Sequence, residues 1–350
     1  MKAFLDKVLI VSLAILTVLT VQAFAGASNR AGTNAASELL IPVGARYIGM
    51  GGASAASVAG IDAIYWNPAG LDRTSFRATA QFSQMQYIAD INVSYAAVAA
   101  QFGRMGSIGL SFKTLAMGDI AITTEDAPDG TGALFSPAFM TVGLTYSRAL
   151  TERVSVGASA KLISETLDRV GATGLAFDIG VQYQNLGDIE GLGIGVALKN
   201  LGPGMKMDGN GLLLKANPLD VSRSTSFYKV VAGKDELPST LDIGLSYKLT
   251  VTEKNTLHLQ TTIVNNNYDD DYANVGAEYS FADMVFLRGG YGIPLGQQND
   301  PTGADAHVYG FCAGGGFHKS FSGLTIMLDY AYRSVDYFNG NNVFTLSFGF

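Results

Sequence analysis

Apolar and polar residues alternate one by one along most of the chain from about residue 74 onward. In the terminal stretch "FTLSFGF", aromatic residues or leucine occupy positions 344, 346, 348 and 350, and small or polar residues lie between them. Successive side chains of a β-strand point to opposite faces, so this pattern predicts a strand with one apolar face. The same alternation occurs at 154–162, 175–183, 241–249 and 324–332.

Fourteen segments follow this pattern, and each has about the 9–11 residues that a tilted strand needs to cross a bilayer. The predicted strands span 75–87, 91–102, 106–115, 137–149, 153–166, 171–184, 190–200, 239–248, 254–264, 273–281, 284–292, 305–317, 323–333 and 341–350. Together they predict an all-β fold.

The connections between these strands alternate in length. Those after even-numbered strands are tight, whereas long ones follow odd-numbered strands at 116–136, 201–238, 265–271 and 292–303. Two connections, at 88–90 and 167–170, are short exceptions. Two unlike sides are typical of a transmembrane barrel, with short periplasmic turns and long extracellular loops. Tyrosines near strand ends, such as Tyr87, Tyr146 and Tyr291, are expected at the two membrane interfaces of such a barrel. The alternative is a soluble sandwich, in which these tyrosines would be core residues.

The first residues indicate a secretory signal peptide. Lys2 and Lys7 precede an apolar run at 8–21, and "QAFAG" at 22–26 ends in small residues, so we predict cleavage after Ala25. Loss of this leader takes the net charge from −7 to about −8. An uncleaved anchor is the alternative, but it needs a longer apolar span and a charged stop.

The composition indicates a membrane environment for the mature chain. Charged residues make up 15% of the chain, against about 25% in soluble proteins, and the mean hydropathy is +0.21. Beyond the leader no run of about 18 apolar residues occurs, and only helices and closed barrels satisfy every backbone group in lipid. The sequence therefore predicts a transmembrane antiparallel β-barrel in the outer membrane of a Gram-negative bacterium. Its acidic balance argues against nucleic-acid binding.

The face opposite the apolar one carries charged residues of both signs. Because isolated buried charges are costly, we expect these residues to pair or to meet water in a polar lumen, and to rigidify it rather than to select ions. The predicted lumen-facing charges are Lys113, Lys161, Asp178, Asp242, Lys248, Glu278, Arg288, Asp329 and Arg333.

Residues 26–73 show neither the strand nor the helix period, and they are rich in small residues. A weakly charged segment of this kind is expected to pack into the lumen, which divides the chain into a leader at 1–25, a hatch at 26–73 and a barrel at 74–350. We expect Trp66 to wedge the hatch against the inner wall; the alternative places it at the periplasmic interface. The hatch and its rigid turn depend on Gly49, Gly51, Gly52, Trp66, Asn67, Pro68 and Gly70.

Four stretches of the chain resemble the PorV/PorQ group of FadL-type outer-membrane proteins. They are "GARYIGMGGASAA" at 44–56, "AIYWNPAGL" at 63–71, "LKNLGPGMKM" at 198–207 and the terminal Phe350. The resemblance covers essentially the whole mature chain. It implies a fourteen-stranded FadL-like barrel with an N-terminal hatch, and a terminal aromatic residue that the barrel-assembly machinery reads. The long stretch at about 208–238 departs from the family pattern, and we expect its apolar parts at 211–214 and 227–231 to extend the seventh and eighth strands above the membrane.

No catalytic or metal-binding pattern is present in the sequence. His258, His307 and His318 lie on or beside different predicted strands, and the acidic loop at 265–274 fails the calcium-loop template. The lone Cys312 reads as a small filler on the lumen face. We therefore expect no cofactor, no metal and no enzyme activity.

Two functions fit this fold. Similarity to PorV and PorQ implies an interaction protein of type IX secretion or cell-surface attachment, which contacts secreted cargo or other secretion subunits through loops 116–136 and 201–238. Outer-membrane lipid is the expected partner of the barrel wall. Similarity to FadL implies a passive transporter of a hydrophobic ligand, which needs a kinked strand with a gap, and the glycine-rich segments 106–115 and 305–317 are the candidates.

Overall fold

The computed structural model describes residue 30 and residues 32–216, 226–295 and 308–350, so the predicted leader at 1–25 lies outside the described residues. Nineteen strands, numbered in chain order, run through them. Fourteen of these form a wall in which each strand is antiparallel to both neighbours. The wall strands are β1 (Ala78–Gln86), β2 (Asn92–Gln101), β3 (Ser107–Ala116), β6 (Ala138–Ala149), β7 (Val154–Leu167), β8 (Val170–Gln184), β9 (Leu192–Leu201), β13 (Thr240–Thr252), β14 (Asn255–Asn266), β15 (Tyr272–Phe281), β16 (Val285–Pro294), β17 (Tyr309–Phe321), β18 (Leu324–Val335) and β19 (Asn341–Gly349).

The wall closes on itself. Strand β1 pairs with β19, from Thr79 opposite Gly349 to Gln86 opposite Asn342, and β9 pairs with both β8 and β13. No wall strand in the described residues is left with a free edge, which is the arrangement a membrane interior demands. The predicted fourteen-stranded antiparallel barrel is therefore confirmed.

Side chains alternate between the two faces of the wall as the sequence pattern predicted. In β1, Thr79, Gln81 and Ser83 point inward and are buried, whereas Phe82 between them is 52% exposed on the outer face. Leucine, valine and phenylalanine dominate the exposed outer positions of the other strands. The outer face is thus apolar at mid-height, as contact with hydrocarbon requires.

The predicted strand bounds agree with the structure within a few residues, except at β13 and β17. Segment 305–317 was predicted to end before "HKSF", but β17 runs to Phe321, and its first predicted residues lie outside the described residues. Ser322 and Gly323 both have positive φ and form a two-residue turn, so His318 pairs with Met327 in the ladder instead of lying in a loop. Strand β13 likewise continues to Thr252.

The connections define two unlike rims. One rim, here called the short-loop rim, carries the turns at 102–106, 150–153, 185–191, 253–254, 282–284 and 322–323, together with the start of β1 and the end of β19. The opposite long-loop rim carries the extended connections and five short strands: β4 (Ile120–Ala121), β5 (Leu134–Phe135), β10 (Asp208–Gly209), β11 (Leu213–Ala216) and β12 (Ser226–Lys229). We expected 211–214 and 227–231 to extend the seventh and eighth wall strands. This was wrong, because β11 and β12 pair with each other in a separate hairpin.

Helical structure is short and lies mainly inside the barrel. The part of the chain that the structure describes contains two α-helices, α1 (Ala45–Ile48) and α2 (Ala63–Trp66), and single 3-10 turns at Ser37–Leu40, Gly60–Asp62, Pro68–Gly70, Gly103–Met105, Leu186–Asp188 and Asn210–Leu212. None of the helices in the described part of the chain is long and apolar enough to cross a membrane.

The main apolar core lies within the lumen. Tyr47, Ile48, Met50 and Leu71, which precede the first strand, are almost fully buried and share one cluster with lumen-facing wall residues such as Val343. The barrel is therefore packed rather than hollow over part of its height, and the packing comes from the segment that precedes β1.

Candidate functional site

Residues 32–77, called the inner segment, run through the lumen from one rim toward the other. Next to it at the long-loop rim, Arg30 donates a 3.0 Å hydrogen bond to Glu236 and also contacts the Tyr268 hydroxyl. At the other end Arg73 donates to the Ser155 hydroxyl at 2.8 Å and to the Arg153 carbonyl at 2.7 Å, beside a short turn. The segment thus occupies the lumen lengthwise.

The turn at Asn67 holds the lower part of the inner segment against the wall. Asn67 is fully buried; its Nδ2 donates to the Ala55 carbonyl at 2.7 Å and its Oδ1 accepts from the Ala69 amide at 3.2 Å. Pro68 begins the following 3-10 turn, where its missing N–H loses nothing. The wall contributes Ser147, whose hydroxyl donates to the Ala69 carbonyl at 3.0 Å. One amide side chain therefore ties two parts of the inner segment together at the wall.

Glycines of the wall make this close approach possible. At each, an added Cβ would overlap inner-segment atoms, mostly backbone: Gly157 faces Pro68, Gly180 faces Asn67, Gly195 faces Ala55, and Gly276 and Gly290 face Met50. The sequence analysis did not foresee this role, since glycine in a strand also indicates a bulge or a bend. This role could have been inferred from the positions of these glycines, which all fall at the alternate strand positions that face the lumen.

An ion network joins helix α1 to the wall. Arg46 donates to both carboxylate oxygens of Glu278, at 3.0 and 2.8 Å. Arg288 donates to Glu278 at 2.6 Å and to Asp329 at 2.6 Å, and its side chain is fully buried. His318 lies 3.3 Å from Asp329. Arg46 was not predicted as a partner because it precedes the region of strand period.

The structure places the other predicted lumen charges as follows. Lys161 pairs with Asp178 at 2.6 Å, and Asp242 pairs at 2.8 Å with Lys199, which the sequence analysis missed. The Lys113 ammonium donates to two inner-segment carbonyls. The remaining two differ from this pairing: Lys248 is exposed, and Arg333 bonds to Asn341, which is not a carboxylate.

A buried acid of the inner segment lies against an acid of the wall. Glu38 is 3% exposed, and neither of its carboxylate oxygens receives a hydrogen bond from a described residue. Glu165, on β7, accepts from the Ala36 amide at 3.0 Å. Burial, reinforced by the nearby Glu165 charge, raises the pKa of Glu38 from 4.5 to about 7, against the opposing effect of Lys113.

We expect this raised pKa to make the barrel less stable as the pH rises. Glu38 keeps its proton in the folded chain at pH values where the unfolded chain has lost it. Stability is therefore full below about pH 4.5 and falls by roughly 3 kcal/mol as the pH approaches 7. Urea unfolding of the protein in detergent micelles from pH 4 to 8 measures this slope. Glu38→Gln should flatten this decline, and an unchanged slope in that variant would contradict the assignment.

A cavity of about 350 Å³ lies between the inner segment and the long-loop rim. Its lining combines rings, charges and amides, among them Tyr65, Trp66, Tyr87, Tyr309, Asp242 and Arg333. The only tryptophan of the chain lies here, with its Nε1 donating to the Val43 carbonyl at 3.2 Å and its ring 5.1 Å from the Tyr65 ring. We expected Tyr87 at the membrane interface, but its hydroxyl contacts Tyr309 inside the cavity.

The described residues hold no cluster of three or more potential metal ligands. His258 and His318 lie on different strands, and His307 lies outside the described residues. Cys312 is buried and lines the cavity.

Comparison with known proteins gives the family. The model of a family described as "Type IX secretion system protein PorV" matches residues 24–252, which is well over half of the chain. The chain belongs to the PorV family. The resemblance drawn from the motifs at 44–56, 63–71 and 198–207 is therefore confirmed. No curated protein matches the chain.

Solved structures give the same fold. The monoaromatic hydrocarbon channel CymD is 16% identical, with a TM-score of 0.52 over 89% of this chain and 98% of that one. The toluene transporter TbuX of Ralstonia pickettii is 14% identical, with a TM-score of 0.52 over 88% and 98%. The toluene transporter TodX of P. putida is 14% identical, with a TM-score of 0.53 over 88% and 99%. This PorV-family chain thus has the barrel fold of these channels.

Proposed function

We propose that this PorV-family barrel is a non-enzymatic interaction protein of type IX secretion, which holds secreted cargo or another secretion subunit at the cell surface. The long-loop rim is assigned to the cell exterior, since short turns face the periplasm in barrels of this kind. The observation that carries the proposal is the apolar hairpin β11–β12 on that rim.

The hairpin exposes large apolar side chains to water. Phe227 is 70% exposed, Val231 just beyond the hairpin is 76% exposed, and Leu214 is 58% exposed. The strands pair only with each other, so the wall buries neither face of the hairpin among the described residues. Leu214 lies on one face of the hairpin, beside Tyr228, and Phe227 lies on the other, beside Lys215. Large apolar side chains exposed on both faces above the membrane support a protein-binding element, because soluble surfaces rarely expose so much apolar area without a partner.

The inner segment acts as a hatch in this proposal. Its contacts with wall glycines, with Glu278 and with Ser147 hold it in the lumen, and its core residues are buried there. A filled lumen supports a protein that works at its rim rather than as an open pore. Terminal Phe350, which is 57% exposed at the end of β19, remains the predicted signal for the barrel-assembly machinery.

The hairpin surface can be tested with two substitutions. Phe227→Ser and Val231→Ser together should lower the amount of secreted protein or secretion subunit that cross-links to the barrel in native envelopes by about tenfold, since a few buried apolar anchors carry most of an interface's free energy. Cross-linking followed by mass spectrometry measures this. Leu150→Ser, which changes an exposed residue on the short-loop rim, is the matched control. Equal cross-linking by all variants would refute the proposed surface.

A passive transporter is the second candidate, and one observation favours it. Strand β3 keeps an unbroken register with both neighbours, but β17 has a bulge opposite β18 between Tyr309 and Cys312, at the wall of the cavity. Such a bulge is where a side exit would form. Co-purified lipid or aromatic hydrocarbon, in place of protein partners, would support this candidate.

A further inference from the structure

The cavity above the inner segment contains a cation that no described carboxylate neutralises. Arg333 is 8% exposed, and its guanidinium carbon lies 3.9 Å from the centre of the Tyr309 ring. Its Nε and Nη2 both donate to Oδ1 of Asn341, at 3.0 and 2.7 Å. Its Nη1 donates to no described residue. By contrast, Arg46, Arg288, Lys161 and Lys199 each have a carboxylate partner in the lumen.

This arrangement favours an anion. Arginine stays charged in proteins, and a buried charge without a counter-charge is unfavourable, so a ligand that supplies the counter-charge gains that free energy on binding. The planar guanidinium matches a carboxylate in geometry, and stacking on Tyr309 fixes its plane. The cavity side of Arg333 is therefore a preformed half-site for a carboxylate.

The facing wall offers hydrogen-bond acceptors. Thr240 and Asp242 on β13 are each 3% exposed and line the same cavity. Asp242 pairs with Lys199 through Oδ2, while its Oδ1 and the Thr240 hydroxyl have no hydrogen-bond partner among the residues that the structure describes. Strand β13 lies across the lumen from β18, with four wall strands between them on one side. A ligand that reaches this wall must present N–H or O–H donors.

Rings line the space between the two walls. Tyr65, Trp66 and Tyr87 border the cavity, and the Lys199 ammonium lies 5.5 Å from the Tyr65 ring centre. These rings suit a compact apolar or aromatic body, whereas the charged far wall would lose hydration without compensation against a long acyl chain.

We propose that the cavity binds a carboxylate whose neighbouring body is compact, apolar or aromatic and carries an amide N–H, with the carboxylate on Arg333 and the amide toward Thr240 and Asp242. A free N-acyl amino acid and the carboxyl terminus of a peptide both have this chemistry. The proposal is independent of partner binding at the hairpin, because the two sites share no residue.

Trp66 provides the readout, since it is the only tryptophan in the chain and it lines the cavity. The full mature protein in detergent micelles is titrated with N-acetyl-phenylalanine and with its uncharged amide. We expect the carboxylate to change Trp66 emission and to bind about tenfold more tightly than the amide. Equal binding of the two compounds, or no binding of either, overturns the proposal. A peptide ending in Gly-Ser-Gly-Ser-Phe, with a free or an amidated carboxyl terminus, then tests whether the end of a peptide chain is the source of the carboxylate. Binding of the free-terminus peptide but not of the amidated one indicates a chain end.

Two variants locate the site. Arg333→Met should abolish the preference for the carboxylate, while Arg148→Met, at an exposed position near the short-loop rim, should keep it. Asn341→Asp supplies an internal carboxylate to Arg333 in an almost unchanged shape, so it should fold and lose the preference as well. Heat-modifiable migration in gels verifies that each barrel is folded. Retention of the preference in Asn341→Asp would refute the assignment to Arg333, even if Arg333→Met fails to fold.

Discussion

Gly290→Val is expected to displace the inner segment from the lumen and to open the barrel to ions. A Cβ at Gly290 would overlap the carbonyl carbon of Met50 and the amide nitrogen of Gly51, and neither backbone atom can move aside alone. Overpacking against backbone should reduce the free energy of unfolding by about 3 kcal/mol or more, or shift the segment outward. Single-channel recording in planar bilayers measures the opening, and urea titration measures the loss of stability.

The neighbouring residue provides a matched control. Gly289 points to the opposite face of the same strand, and the nearest atom to its added Cβ is the Cys312 carbonyl at 4.0 Å. Gly289→Val should therefore conduct like the unchanged protein and should retain its stability. If both variants remain closed and equally stable, the inner segment does not seal the lumen through this contact.

Glu278→Gln is expected to cause the second large effect. Glu278 is 4% exposed and accepts from both Arg46 and the fully buried Arg288. Removing the charge leaves two guanidinium groups with one fewer counter-charge, and breaking a buried pair in this way typically costs about 3–5 kcal/mol. The free energy of unfolding in urea should fall by that amount. The single-channel conductance should rise, because α1 loses its contact with the wall.

A double-mutant cycle isolates the contact with the inner segment. If the Arg46 pair holds α1 to the wall, Glu278→Gln should destabilise the Arg46→Met background less than the original one, by about 0.5–3 kcal/mol. Glu190→Gln, an identical change at an exposed turn residue, should alter stability very little. Additive effects of the Arg46 and Glu278 substitutions would show that the wall network, and not the inner segment, accounts for the loss.

The sequence predicted the wall well because successive side chains of a strand point to opposite faces, which gives the apolar pattern a period of two. Phe82 and its outward neighbours alternate with small or polar residues, and lipid on one side and lumen on the other enforce that alternation at every wall strand. Strand ends were less certain. Those at β13 and β17 depended on two-residue turns whose backbone conformation the apolar pattern does not encode.

The pattern failed where the backbone departs from strict alternation. Lys199 and Asn200 lie at a bulge of β9, where Asn200 has a φ of 60° and three residues of β9 oppose two of β8. Both side chains therefore bond inside the lumen, to Asp242 and Lys161. Arg46 and the Gly290 contact were missed for another reason: they depend on how an aperiodic segment packs against distant strands, and that information is not local.

The pairing of β1 with β19 also constrains how the molecule can be assembled. Arg30 bonds near one mouth and Arg73 near the other, so the chain passes through a ring that its own first and last strands complete. The inner segment is covalently joined to β1, and it is enclosed most simply if β1 and β19 pair after it has folded. Joining of this final seam should therefore follow the folding of the leading residues, and variants that slow their folding should accumulate as unsealed sheets.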